Sequence, residues 1–120
     1  LVLLAFLAYL HLFTLFIALD YDLNLSPLLS VGTALVFGSA SRLVAHAEPN
    51  WSAGIRTPWT LSSETVWRRT HALGGTLFNA AAVLALVGLA LPRAAVWFAL
   101  VPAAASAVGS VVASYVFYRK

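Results

Sequence analysis

The sequence predicts an all-α integral membrane protein: four transmembrane helices, with an interfacial motif loop and a short helix between the second and third. Three observations carry that prediction. The 120 residues are 62% hydrophobic and 9% charged, against roughly 25% charged in soluble domains. A soluble fold of this size must cover a large surface with polar groups, and this chain has too few. The apolar residues fall into four stretches long enough to approach the ~20 residues a helix needs to cross the bilayer core. The polar chemistry is gathered between Asn50 and Gly75, which holds Trp51, Trp59 and Trp67 of the four tryptophans, and Arg56, Arg68 and Arg69 of the seven basic residues.

The first segment, about 1–19, is apolar apart from Tyr9, His11 and Thr14. His11 falls near mid-depth, where a polar side chain is expected to face the bundle interior and bond a neighbouring helix. The segment has no basic leader and no small-residue cleavage signal, so it does not read as a signal peptide. With no methionine anywhere, the numbering is expected to start inside a longer polypeptide or after processing. A polar turn, Asp20-Tyr21-Asp22-Leu23-Asn24-Leu25, leads to Ser26-Pro27, which reads as an N-cap followed by proline at the first helical position.

The second segment, about 27–44, carries Gly32, Gly38, Ser39, Ala40 and Ser41, small residues that let helices approach closely in lipid. Arg42, His46 and Glu48 mark its exit to water. Gly54 and Pro58 exclude an uninterrupted helix through the motif loop, 45–71. Trp51 and Trp59 suit the membrane–water interface. Ser62 or Ser63 can cap a new helix with Glu64 in its first turn. Glu64 and Arg68 are spaced for a surface pair.

The third segment, about 72–91, opens on Gly74-Gly75, a place for a bend or a close contact. It contains Asn79, expected to bond across to a neighbouring helix. Pro92-Arg93 is a short connection that forces an antiparallel hairpin. The fourth segment, about 94–118, contains Pro102, which should kink it. Ala103, Ala104, Ala105, Ser106, Gly109 and Ser110 give it a small-residue face, with Gly109 and Ala113 at a spacing suited to tight packing. The whole chain, 1–120, reads as a single transmembrane domain without internal repeat.

Charge sets the expected topology. Arg42, Arg56, Arg68, Arg69, Arg119 and Lys120 fall on one side of four crossings, and Arg93 alone falls on the other. The positive-inside rule places the motif loop and the C-terminus in the cytoplasm of a multi-pass cell-membrane protein. The net charge of +3 is a topology signal. No exposed basic domain suggests direct nucleic-acid binding.

The absence of cysteine excludes disulfides and thiolate metal sites. His46, Glu48 and His71 offer too few ligands, at no recognisable spacing, for a metal. Ser62, Glu64 and His71 lack an elbow or oxyanion motif for nucleophilic catalysis. No enzyme, cofactor or metal is expected.

The run Pro49-Asn50-Trp51, then Gly54-Ile55-Arg56-Thr57-Pro58-Trp59-Thr60-Leu61-Ser62, then Val66-Trp67-Arg68 and Thr70-His71, closed by Gly74-Gly75, resembles the signature of the SdpI family of bacterial and archaeal membrane proteins. The resemblance covers about residues 26–91. It implies a multi-pass membrane protein, with immunity against a secreted toxic peptide and signalling to a cytoplasmic regulator as the family activity. Longer family members carry a further N-terminal membrane region, to which nothing in this chain corresponds. The motif residues Asn50, Gly54, Arg56, Thr57, Pro58, Trp59, Trp67 and His71 are the expected binding surface for a peptide or membrane-protein partner.

Read physically, Arg56 sits on constrained backbone with a fork of donors for a phosphate, a carboxylate or a helix end. Trp59 and Trp67 can stack on it or lie among the headgroups. Thr57 and Thr60 can add hydroxyl bonds, and His71 can be a hydrogen-bond partner. The alternative reading of the loop is structural, a tie between helices. Two other functional classes fit less of the sequence: a small accessory subunit of a membrane complex, from the small-residue faces, and a transporter component, from His11 and Asn79 alone.

Overall fold

The computed structural model describes residues 2–22 and 24–120. Leu1 and Leu23, at the start of the first segment and in the polar turn, lie outside the described residues. Every regular element among the described residues is helical: α1 (Val2–Ala18), α2 (Leu25–Ala45), α3 (Pro58–Ser62), α4 (Glu64–Val87), a 3-10 turn (Pro92–Ala94) and α5 (Ala95–Arg119). Three helical stretches are long and apolar enough to cross a membrane: Leu25–Ala45, Glu64–Val87 and Pro92–Arg119. At 1.5 Å per residue, the 21 residues of α2 span about 31 Å, close to the ~30 Å hydrocarbon core. The 17-residue α1 is a shorter apolar helix.

Local chemistry sets the boundaries. Helix α2 begins two residues before the expected start. Asn24, not Ser26, is its N-cap, and its side-chain oxygen accepts from the Ser26 N–H at 3.1 Å. Pro27 then falls in the first turn, where its missing N–H has no partner to lose. Helix α4 is capped by Ser63, with Glu64 in its first turn, and runs unbroken through Gly74 and Gly75. It ends at Val87, four residues before the expected boundary. The hairpin to α5 is therefore longer than Pro92-Arg93, taking in a turn over 88–90, Leu91 and the 3-10 turn. Helix α5 continues through Pro102. The carbonyl of Pro102 accepts from the Ser106 hydroxyl at 2.7 Å.

Helix α4 is the centre of the bundle, packed against both α2 and α5. The glycine pair is a close contact and not a bend. A Cβ on Gly75 would lie 2.6 Å from the Ala45 Cβ, and one on Gly74 would lie 2.6 Å from Ile55 Cδ1. The Ser41 hydroxyl donates to the Gly75 carbonyl at 2.8 Å. On α5 the buried face is Ala95, Ala99, Ser106, Ser110 and Ser114, in place of the Gly109–Ala113 pair. The serine hydroxyls bond back to carbonyls of α5, and that of Ser106 also reaches across to the Leu77 carbonyl of α4 at 3.0 Å.

Helix α1 is peripheral. Among the described residues it packs on α2 alone, tied by the Tyr9 hydroxyl donating to the Leu28 carbonyl at 3.0 Å. His11 is exposed on its surface, not turned into the bundle as expected, because no third helix stands beside α1. Asn79 is likewise exposed, and no cross-helix hydrogen bond holds its amide among the described residues.

Candidate functional site

The loop between α2 and α4 folds back over the N-terminal half of α4. Two side chains one helical turn apart, Trp67 and His71, make its floor. Their rings stack at 4.0 Å between centroids with 17° between planes. Both are fully buried, at 0% and 1% exposure. Each grips the loop by backbone. The Trp67 indole N–H donates to the Ala47 carbonyl at 2.7 Å, and His71 Nε2 accepts the Ile55 N–H at 2.9 Å. His71 Nδ1 lies 2.8 Å from the Trp67 carbonyl. A carbonyl only accepts, so Nδ1 carries the proton and the imidazole is neutral, one nitrogen donating and the other accepting.

Gly54 is where the loop crosses this stacked pair. Its φ of +115° belongs to the region that side chains avoid. A Cβ there would collide with His71 Nε2 and come within 3.2 Å of Trp67 Cζ2. Glycine is required on both counts.

Thr57-Pro58 starts α3 by the rule that would have placed one helix start at Ser26-Pro27. Thr57 is the N-cap in a reciprocal capping box with Thr60, and Pro58 is in the first turn. The Thr57 N–H donates to Thr60 Oγ1 at 2.8 Å, and Thr60 Oγ1 donates to the Ile55 carbonyl at 2.9 Å. The short helix then docks on the far end of α5. The Trp59 indole N–H donates to the Ser114 hydroxyl, and the Thr57 and Ser114 hydroxyls lie 3.3 Å apart. The Trp59 ring meets Tyr115 edge-on at 5.2 Å, and Arg119 lies over the Tyr115 ring at 5.9 Å. The loop and the C-terminal end of α5 thus share one end of the bundle.

The rim of the loop is different in kind. Asn50 folds it locally: Oδ1 accepts from the Ser52 and Ala53 N–H groups at 2.8 and 2.7 Å, and Nδ2 donates to the Glu48 carbonyl at 2.7 Å. Trp51 is 78% exposed. Arg56, exposed, donates to the Trp51 carbonyl. Of the two placements the sequence allows for Trp59 and Trp67, stacking on Arg56 does not occur, because Trp67 is committed to His71 and Trp59 to Tyr115. A polar cleft of about 260 Å³ opens beside the rim, bounded by Asn50, Trp51, Ser62, Ser63, Glu64 and Trp67 among others. The Glu64–Arg68 ion pair lies on the exposed start of α4.

The eight expected site residues therefore divide. Gly54, Thr57, Pro58, Trp59, Trp67 and His71 form the scaffold, while Asn50 and Arg56 shape the exposed rim. Ser114 joins the scaffold unannounced. Its signal was the Ser106–Ser110–Ser114 spacing of four, which puts three hydroxyls on one helix face. Among the described residues no cluster of three or more metal-ligating side chains occurs.

The family model described as the SdpI/YfhL protein family matches residues 46–116, from the motif loop through α4 into the last turns of α5. The chain belongs to the SdpI family. The match starts at residue 46, whereas the sequence resemblance starts at about 26, and extends beyond residue 91, where the resemblance stops, so it includes the α5 end on which the loop docks. The Immunity protein SdpI of Bacillus subtilis (strain 168) is 30% identical over 112 residues, covering 92% of this chain and 54% of that protein. The chain spans about half the length of this curated relative. No solved structure matches the chain. Family membership and the three apolar helices make this SdpI-family chain a multi-pass membrane protein.

Proposed function

We propose that this SdpI-family chain is an immunity protein of the membrane, a single four-crossing domain that protects its cell from a secreted toxic peptide. In this reading α1 supplies the fourth crossing, and the motif loop and C-terminus face the cytoplasm. The loop passes a signal to a cytoplasmic regulator. The name of the relative supports the activity, and the division within the loop supports the signalling role.

That division is the observation that carries the reading. The loop uses its buried Trp67–His71 pair and the φ-positive Gly54 to fix a backbone path, and that path presents an exposed tryptophan and an exposed arginine. Trp51 is thereby available to a partner at the membrane–water interface. Aromatic and arginine side chains on a rigid support are the usual anchors of protein recognition.

The test is expression in a peptide-sensitive bacterium followed by challenge with the toxic peptide. Protection is expected, and loss of signalling is expected for Trp51→Ala and Arg56→Ala at unchanged protein level. Unaltered killing at good expression sinks the immunity reading. Recovery of a stoichiometric set of membrane proteins in a mild-detergent pull-down would instead favour an accessory subunit.

A further inference from the structure

A second polar feature lies away from the loop, on the lipid-facing side of the α2–α4 seam. Ala34, Leu35, Gly38, Ser39 and Arg42 of α2 and Asn79 of α4 line an open groove of about 240 Å³. Arg42 and Asn79 are exposed. No acidic side chain lines the groove, and the ion pair among the described residues is Arg68–Glu64, elsewhere on the surface. Charged and amide groups within a membrane-spanning segment ordinarily turn to the protein interior. Here they face the bilayer, so the group that satisfies them comes from outside the chain.

The order of the lining residues identifies that group. Arg42 stands three residues before the end of α2 at Ala45, about 4.5 Å by the helical rise, close enough to the end of a core-spanning helix for its long side chain to reach the headgroups. Ser39 lies one turn deeper. Asn79 is level with it, because Gly75 packs on Ser41 and Ala45 while Ala82 approaches Gly38. Below these come Gly38, then Leu35 and Ala34, all without polar side chains. From the membrane surface inward the groove presents a cation, then neutral hydrogen-bonding groups, then an apolar channel. A glycerophospholipid presents the complementary sequence: phosphate, glycerol esters, acyl chain.

We infer that the groove is a binding site for one phospholipid molecule. The Arg42 guanidinium pairs the phosphate, its planar fork matching two phosphate oxygens. The Asn79 amide and the Ser39 hydroxyl donate to the ester carbonyls. One acyl chain lies over Gly38 against Leu35. Basic grooves between transmembrane helices on the cytoplasmic side suit anionic headgroups. The inference uses the membrane reading of the helices but not the immunity reading, so either can fail without the other.

The experiment measures phospholipid retained by the purified protein in a maltoside detergent, by mass spectrometry of the extracted lipid per mole of protein. It is paired with the rise in thermal unfolding temperature on adding dihexanoyl phosphatidylglycerol. Wild type is expected to retain lipid and to be stabilised. Arg42→Gln is expected to lower apparent affinity roughly tenfold for the loss of a charge-assisted bond and Asn79→Leu by about threefold for the loss of a neutral one, while Arg42→Lys keeps part of the Arg42 contribution. Helical circular dichroism checks that each variant is folded. Dihexanoyl glycerol, which lacks the phosphate, is expected to stabilise far less.

Equal retention and equal stabilisation in wild type, Arg42→Gln and Asn79→Leu would overturn the inference. So would full competition by millimolar inorganic phosphate, which would make the groove a free-anion site. Loss of a self-dimer in Asn79→Leu with lipid binding unchanged would overturn it in favour of a second copy of the chain.

Discussion

His71 carries the geometry of the motif loop because both of its ring nitrogens are used. A neutral imidazole has one donor and one acceptor, and here each meets a backbone group of the opposite kind, one on its own helix and one on the loop. His71→Phe preserves the stack on Trp67 but leaves the half-buried Ile55 N–H without a partner. The expected cost is about 1–3 kcal/mol, read as a lower unfolding temperature in detergent. Gly54→Ala should cost at least as much, about 2 kcal/mol or more, since it adds backbone strain to a collision with the imidazole. Ala53→Gly is the control for ordinary loop flexibility. Arg56→Ala has the opposite profile. Its guanidinium is exposed and bonds a single carbonyl, so its stability should stay within about 1 kcal/mol of wild type while signalling falls. Residue types exposed the importance of this segment but not its centre. Arg56 drew notice because it brings a charge and a fork of donors to constrained backbone. The pairing of Gly54 with His71 spans seventeen positions through a backbone path that no local periodicity encodes.

Helix boundaries were readable wherever a short-range capping rule decided them, as at Ser63-Glu64, and shifted wherever two caps competed, as Asn24 did with Ser26. The Thr57-Pro58 start of α3 is masked in the sequence because Gly54 and Pro58 itself both argue against helix there. Packing faces were harder. Small residues crowd both α2 and α5, and composition does not select the stripe that meets α4. In α5 the Ser106–Ser110–Ser114 line prevailed, since these hydroxyls can be buried while bonding carbonyls along their own helix. The close approach of α2 and α4 predicts a sharp response at Gly75. A Cβ there would stand 3.1 Å from the Ser41 carbonyl oxygen and nearer still to Ala45, so Gly75→Leu should separate the helices and remove most folded protein, seen as loss of the monodisperse peak in detergent. Ser114→Ala is milder. It takes away the acceptor of the Trp59 indole and should cost about 1 kcal/mol, loosening α3 from α5 without unfolding the bundle.

The arrangement of the whole chain in the membrane rests on two independent arguments that agree. Charge places Arg42, Arg56, Arg68, Arg69, Arg119 and Lys120 on one side of the helices and Arg93 on the other. Contacts place the loop against the C-terminal end of α5, through Trp59 with Ser114 and Tyr115, while Ser26 at the start of α2 donates to the Pro92 carbonyl at the opposite end, 3.0 Å away. The polar turn before α2 and the hairpin before α5 therefore belong together, as the loop and the C-terminus do. The chain contains no cysteine, so single cysteines report position without interference. Ser52→Cys and Lys120→Cys should react with a membrane-impermeant maleimide only after the membrane is opened. Asp22→Cys and Arg93→Cys should react in intact cells. Reaction of Ser52→Cys and Lys120→Cys from different sides would break the bundle itself, because one docked end cannot lie in two compartments. A uniform reversal of all four would keep the bundle and overturn the cytoplasmic assignment, leaving the exposed Trp51 and Arg56 to face the peptide directly and not a regulator inside the cell.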